Sequence, residues 1–186
     1  MRIFGLGILG QALHKATFSE LMNGFAHPLS VTIAAQSAEI LIKARIAQEH
    51  PLLIFTTLPK SLPDGRSLNI ESLLESGRSA DYFELPNLLW ATTGYQIPDR
   101  LEYERFGRLR NQIQHLTFPL DENLADRTLQ FIFRVIAPMA KDFWQVNVVA
   151  TIEEVDPDGI EYVEERLTAL GLPFDEVEDL MPELDP

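Results

Sequence analysis

A short segment in the second half of the chain contains the side chains best suited to phosphate chemistry. The sequence Arg110-Asn-Gln-Ile-Gln-His115 places an arginine, an asparagine and a histidine within six residues. The planar guanidinium of arginine binds phosphate through two parallel hydrogen bonds, and histidine exchanges protons near neutral pH. These residue types predict a site that holds a phosphate group and transfers protons.

The residues around this segment have the periodicity of an amphipathic helix. At about 100° per residue, four apolar side chains fall on one stripe and Arg110 lies on the flank of that stripe. Asn111, Arg108 and His115 fall on the polar side, so one helix presents arginine, asparagine and histidine together. The apolar stripe consists of Phe106, Leu109, Ile113 and Leu116.

The rest of the chain also favours helices, and no internal repeat is evident. Ser30 is a plausible N-cap for a helix that Pro51 ends, and Pro98 lies near the first turn of the motif helix. We therefore expect an all-α fold, an antiparallel bundle of four to five helices over residues 1–150. An acidic extension with one short helix is expected over residues 151–186. The predicted helices span residues 30–49, 69–76, 84–93, 98–116, 119–149 and 160–170.

The motif and its position resemble the HEPN superfamily (higher eukaryotes and prokaryotes nucleotide-binding), whose ribonucleases carry an R-x4–6-H motif. Arg110 to His115 is similar to the frequent R-N-x-x-x-H form of that motif. The earlier segment Ala38-Glu-Ile-Leu-Ile-Lys-Ala-Arg45 resembles the family's first conserved helix. The resemblance covers about residues 28–143 and implies a HEPN-like helical bundle.

The resemblance implies a metal-independent endoribonuclease with a composite site in a homodimer. His115 would be the acid/base group, Arg110 would hold the scissile phosphate, and Asn111 would orient the phosphate or the histidine. Arg108 and Glu39 would assist substrate binding, with Glu39 contacting Arg110. RNA would be the substrate, cleaved to a 2′,3′-cyclic phosphate and a 5′-hydroxyl, without a cofactor or a metal. Family members often act as toxins or in antiviral defence, which implies an antitoxin or regulatory partner.

Other interpretations of the same residues remain open. Some HEPN domains only bind nucleotides or dimerise, so a non-catalytic binding or regulatory module is the alternative function. Polar residues on a surface helix are often only solvated, and Glu104 with Arg108 has the spacing of an ordinary i,i+4 ion pair. Glu39 and Lys43 have the same spacing.

A third possibility is a dinucleotide-binding enzyme. The sequence Gly5-Leu-Gly-Ile-Leu-Gly10 matches G-x-G-x-x-G, in which Gly5, Gly7 and Gly10 would bring the backbone close to a pyrophosphate of NAD(P) after a strand over Met1–Phe4. The acidic residue expected about 20 positions later is missing, however. The competing expectation for this segment is an apolar N-terminal helix.

Composition and charge limit the remaining choices. The 186 residues have a net charge of −13 and contain no cysteine, which excludes disulfides and thiol nucleophiles. Residues 1–143 have a net charge of −1, whereas residues 144–186 carry 13 acidic residues and one arginine. No run reaches the 18 apolar residues of a membrane span, and the start lacks the pattern of a signal peptide. We expect a cytoplasmic protein without a membrane partner.

Overall fold

The computed structural model describes residues 1–18, 24–58, 70–115, 123–152 and 157–174, and most of these residues are helical. This confirms the all-α prediction at the level of secondary structure, while the bundle of four to five helices stays a prediction. No helix within these ranges is both long enough and apolar enough to cross a bilayer. The α-helices are α1 (Arg2–Thr17), α2 (Ala26–Glu49), α3 (Ile70–Ser76), α4 (Leu85–Thr93), α5 (Arg100–Gln114), α6 (Leu124–Phe131), α7 (Ala137–Trp144) and α8 (Pro157–Ala169).

The chain divides into two compact units. The first unit contains residues 1–41 and 97–186, and the second contains residues 42–96. In the second unit, two short strands, β1 (Phe55–Thr57) and β2 (Arg78–Ser79), pair antiparallel with Phe55 opposite Ser79. Every residue of the predicted site belongs to the first unit.

The glycine motif at the N-terminus lies inside α1, so the strand expected over Met1–Phe4 in the dinucleotide alternative is wrong. Gly5 packs against Ile40 and Leu41 of α2, and its carbonyl oxygen accepts a hydrogen bond of 2.8 Å from Ser37 Oγ. Gly10 lies directly against the backbone of Thr151. These two glycines therefore allow close helix packing, because a side chain at either position would meet a neighbouring segment.

The long helix α2 contains the predicted helix 30–49 but begins at Ala26. Ser30 is consequently not an N-cap. Its Oγ donates to the carbonyl oxygen of His27 at 2.8 Å and lies 3.0 Å from Oγ1 of Thr128 in α6. Both side chains are fully buried, so this hydroxyl pair joins α2 to α6 inside the core.

The helical run from Leu124 to Trp144 changes its winding near its middle. Residues Ile132–Ile136 form a π-helical segment between α6 and α7, and the N–H of Ala137 donates to the carbonyl oxygen of Ile132. Pro138 follows at once. Proline has no N–H and its ring collides with the carbonyl four residues earlier, so the wider π turn accommodates it. The predicted start at Pro119 lies outside the described residues.

The C-terminal helix α8 belongs to the core of the first unit. Val163 and Leu167 are fully buried, and Arg166 forms an ion pair of 2.7 Å with Asp126 of α6. The helix predicted over residues 160–170 begins earlier than expected, because α8 starts at Pro157. Gly171 follows the helix at φ +63°, a left-handed conformation that favours glycine at the end of a helix.

The packing of α1 predicts opposite effects for two glycine substitutions. Gly10→Ala should lower the free energy of unfolding by at least about 1 kcal/mol, because the new Cβ overlaps the carbonyl oxygen of Thr151. Gly7→Ala is the matched control, since a Cβ there meets nothing within 4 Å, and it should raise stability by about 0.5–1 kcal/mol. Urea denaturation measures both changes. Equal destabilisation by the two substitutions would contradict this packing.

Candidate functional site

The predicted motif helix is present as α5. Asp99 caps it, because Asp99 Oδ1 accepts a hydrogen bond of 2.9 Å from the N–H of Glu102. Pro98 therefore precedes the cap and does not lie within the first turn. The helix ends at Gln114, and the N–H of His115 still donates to the carbonyl oxygen of Asn111 at 3.1 Å. His115 is thus the residue that closes the helix.

Aromatic packing sets the rotation of α5 about its own axis. The rings of Phe106 and Phe131 stack with centroids 3.8 Å apart and planes 6° apart. Tyr103 lies one turn earlier and also packs against Phe131, at 6.3 Å between centroids. All three side chains are fully buried, so this side of α5 is held against α6.

The buried side of α5 is wider than the predicted apolar stripe. Tyr103 and Gly107 are buried together with the stripe residues Phe106, Leu109 and Ile113. At about 100° per residue, Arg110 falls within this arc and not on its flank. Its side chain is accordingly half-buried, and its Nε atom is enclosed by protein without a hydrogen-bond acceptor in the described ranges.

The opposite side of α5 carries a row of exposed polar side chains, which we call the α5 stripe. It consists of Arg105, Arg108, Gln112 and His115, and all four side chains are exposed. Their spacing of three, four and three residues keeps them on one face of the helix. Arg108 and His115, both predicted site residues, therefore share a face and lie about 10 Å apart along the axis.

The other predicted site residues have different surroundings. Arg110 and His115 point about 140° apart around α5, and no hydrogen bond joins their side chains in the described structure. Asn111 is half-buried beside Arg110. Glu39 is half-buried on α2, and its contact with Arg110 stays a prediction. The structure thus brings Arg108 and His115 to one face, but not Arg110.

The alternative of an ordinary ion pair between Glu104 and Arg108 is wrong. Glu104 Oε1 accepts a hydrogen bond of 3.0 Å from Arg100 Nε, one turn toward the start of the helix. Within the described residues, neither Arg108 nor Arg105 has an ion pair or a hydrogen bond to its side chain. The two guanidinium groups therefore face solvent with their donors available.

The α5 stripe borders a surface depression of about 240 Å³, which we call the arginine depression. Arg127 of α6 reaches it from the neighbouring helix and forms an ion pair of 3.3 Å with the nearly buried Glu102. Sequence reasoning missed Arg105 and Arg127. The spacing from Arg105 to His115 could have identified the first, whereas Arg127 belongs to the site only through tertiary packing. The lining residues are Arg105, Arg108, Leu109, Gln112 and Arg127.

Within the described residues, no group of three or more histidine, aspartate or glutamate side chains could hold a metal ion.

Comparisons with known proteins add no assignment to this geometry. The chain matches no protein-family model, no curated protein and no solved structure.

Proposed function

We propose that the chain is a metal-independent endoribonuclease of the HEPN type. The observation that supports this proposal most is the α5 stripe, where an exposed histidine shares one helix face with two exposed arginines. A histidine that exchanges protons beside phosphate-binding cations is the minimum equipment for cleaving a phosphodiester. The R-N-x-x-x-H resemblance supplies the assignment to this reaction class.

The proposed reaction begins with the ribose 2′-hydroxyl next to the scissile phosphate. A histidine removes the 2′ proton while the 2′ oxygen attacks phosphorus, and the bond from phosphorus to the 5′ oxygen breaks. A second proton transfer neutralises the leaving 5′ oxygen. The products are a 2′,3′-cyclic phosphate and a 5′-hydroxyl, with no net gain or loss of atoms. His115 carries the proton transfers, and the guanidinium groups stabilise the developing negative charge.

The proposed site is shared between two copies of the chain. Arg110 and His115 point about 140° apart on one helix, so a single α5 does not present both to one phosphate group. Two copies related by a two-fold axis would each contribute the same patch. Arg110 and Asn111 of one copy would then hold and orient the scissile phosphate, His115 of the other copy would transfer the protons, and Glu39 would position Arg110.

A second candidate function is a non-catalytic HEPN-like dimer that binds RNA or regulates a partner. The half-burial of Arg110 favours it, because a guanidinium whose Nε is enclosed by protein also serves packing. In either case the acidic C-terminal segment or a separate antitoxin could control access to the arginines. A role as a toxin or in antiviral defence belongs to the first candidate.

Substitutions in the motif separate the two candidates. In EDTA, the wild-type protein should cleave total RNA, and His115→Ala should lower the rate at least ~100-fold because the acid/base group is lost. Arg110→Lys should lower it by a similar factor, since lysine keeps the charge and the stem but not the bidentate fork. Gel electrophoresis of the RNA and detection of 2′,3′-cyclic ends measure the effect.

The matched control is Gln114→Ala, which changes an exposed residue next to His115 and should leave cleavage unchanged. Circular dichroism checks the fold of Arg110→Lys in particular, because Arg110 is half-buried. Full activity of a folded His115→Ala variant would exclude the proposed role of the histidine. Dimers without any cleavage in EDTA would favour the non-catalytic module.

A composite site also predicts the oligomeric state. Light scattering at tens of micromolar should report a dimer, and mixing inactive His115→Ala with inactive Arg110→Lys should restore part of the cleavage. Restoration is expected because the mixed dimer contains one site with an intact arginine and an intact histidine. A strictly monomeric protein, or mixtures that stay as inactive as the separate variants, would contradict the shared site.

Removal of the acidic C-terminus tests whether it restrains the site. Cutting after Phe174 removes six carboxylates and keeps α8, whereas cutting after Asp156 would also remove α8 with its buried Val163 and Leu167 and uncover the core that they pack against. If residues 175–186 compete with RNA, the shortened protein should bind RNA more tightly and cleave it faster. The gain should shrink at high salt because charge interactions are screened. Unchanged binding and cleavage would leave these residues only a role in solubility or partner docking.

A further inference from the structure

The arginine depression combines three cationic side chains from two helices. Arg105 and Arg108 lie one turn apart on α5, and Arg127 joins them from α6. Among the described residues that line the depression, none is acidic. The chain has 28 acidic and 15 basic residues, so the positive charge of this surface is opposite in sign to the net charge of the chain.

The three guanidinium groups are held to different degrees. Arg127 is positioned by its ion pair with Glu102, whose side chain is only 11% exposed and therefore fixed in the protein. Arg105 and Arg108 have no such partner among the described residues. The guanidinium group of Arg127 is thus held in place, whereas those of Arg105 and Arg108 are able to turn toward a ligand.

We propose that the arginine depression binds a backbone phosphate of single-stranded RNA, next to the phosphate that is cleaved. The planar fork of arginine matches two phosphate oxygens, and Gln112 adds an amide donor beside it. The volume of about 240 Å³ equals on the order of eight water molecules, which leaves room for a phosphate and part of its ribose. Leu109 provides an apolar floor for the sugar.

The position of the depression also predicts the path of the RNA strand along α5. Arg105, Arg108 and Gln112 continue the α5 stripe away from His115, toward the start of the helix. A strand that lies along the stripe would therefore pass from the histidine to the depression. This inference rests on the proposed function for the place of cleavage, but the binding of phosphate does not depend on cleavage.

The test measures binding to an RNA that cannot be cleaved. A fluorescent 12-nucleotide 2′-O-methyl RNA lacks the attacking hydroxyl, so anisotropy reports affinity alone. Arg105→Gln with Arg108→Gln should weaken binding at least ~10-fold and make the slope of log K against log salt shallower by roughly 0.7, because the phosphate in the depression is no longer neutralised. Both residues are exposed, so the fold should be retained.

The matched control is Arg2→Gln with Arg134→Gln. It removes the same charge from two exposed arginines that do not line the depression, and it should change affinity less than ~3-fold. Equal loss in both double variants would mean that only net charge matters and would overturn the inference. The inference would also be overturned if a synthetic peptide of residues 175–186 bound the depression while the RNA affinity of the protein did not depend on Arg105 and Arg108. The depression would then be a binding site for an acidic segment.

Cleavage assays keep the two proposals apart. If His115→Ala abolishes cleavage while the Arg105 and Arg108 variant binds RNA normally, the phosphate site is wrong and the proposed function stands. If His115→Ala leaves cleavage unchanged while the arginine variant loses binding, the phosphate site stands and the proposed function is wrong.

Discussion

The stack of Phe106 on Phe131 determines which residues of α5 face solvent. Both rings are fully buried, and their centroids lie 3.8 Å apart, so α5 is fixed in rotation against α6. Replacing a buried phenylalanine by alanine typically costs 3–5 kcal/mol, which is a large part of the stability of a small domain. A rotation of α5 by one residue, about 100°, would carry the α5 stripe toward the core. The same contact brings Arg127 beside Arg105 and Arg108, so the arginine depression is a direct result of core packing.

Several arginines elsewhere in the described residues are paired with carboxylates, unlike two of the arginines in the depression. Arg45, Arg78, Arg100 and Arg166 each form an ion pair with a nearby carboxylate. Arg105 and Arg108 have none among the described residues, although the chain contains nearly twice as many acidic as basic residues. Such surface pairs contribute only about 0–1 kcal/mol each, so their absence costs the fold little. A bound anion, in contrast, would meet the guanidinium groups of Arg105 and Arg108, which no carboxylate of the described residues occupies.

The sequence predicted the helices better than the surroundings of the site. The spacing of Phe106, Leu109 and Ile113 correctly indicated a helix and its core side, because these residues alone determine the apolar face. It did not indicate that Tyr103 and Gly107 are buried as well, since that depends on the position of α6, and Arg110 was consequently placed too far toward solvent. The spacing of Gly5 and Gly10 suggests a wrong structure for a similar reason. Their spacing fits a phosphate-binding loop, but their function in this fold is to let α1 approach α2 and Thr151, a tertiary contact that no local pattern specifies.

The geometry of α5 connects the proposed chemistry to assembly. Arg110 and His115 point about 140° apart on one α5, so the proposed cleavage would pair the arginine of one copy with the histidine of the other. A two-fold pair of α5 helices would form such sites, but it would also bring the Arg105 and Arg108 side chains of both copies close together. Their mutual repulsion would weaken the dimer, and a polyanion between the two copies would relieve that repulsion. Because any ligand that binds only the assembled form stabilises it, RNA binding and dimerisation would favour each other. In the proposed enzyme the substrate would therefore stabilise the assembled site that cleaves it.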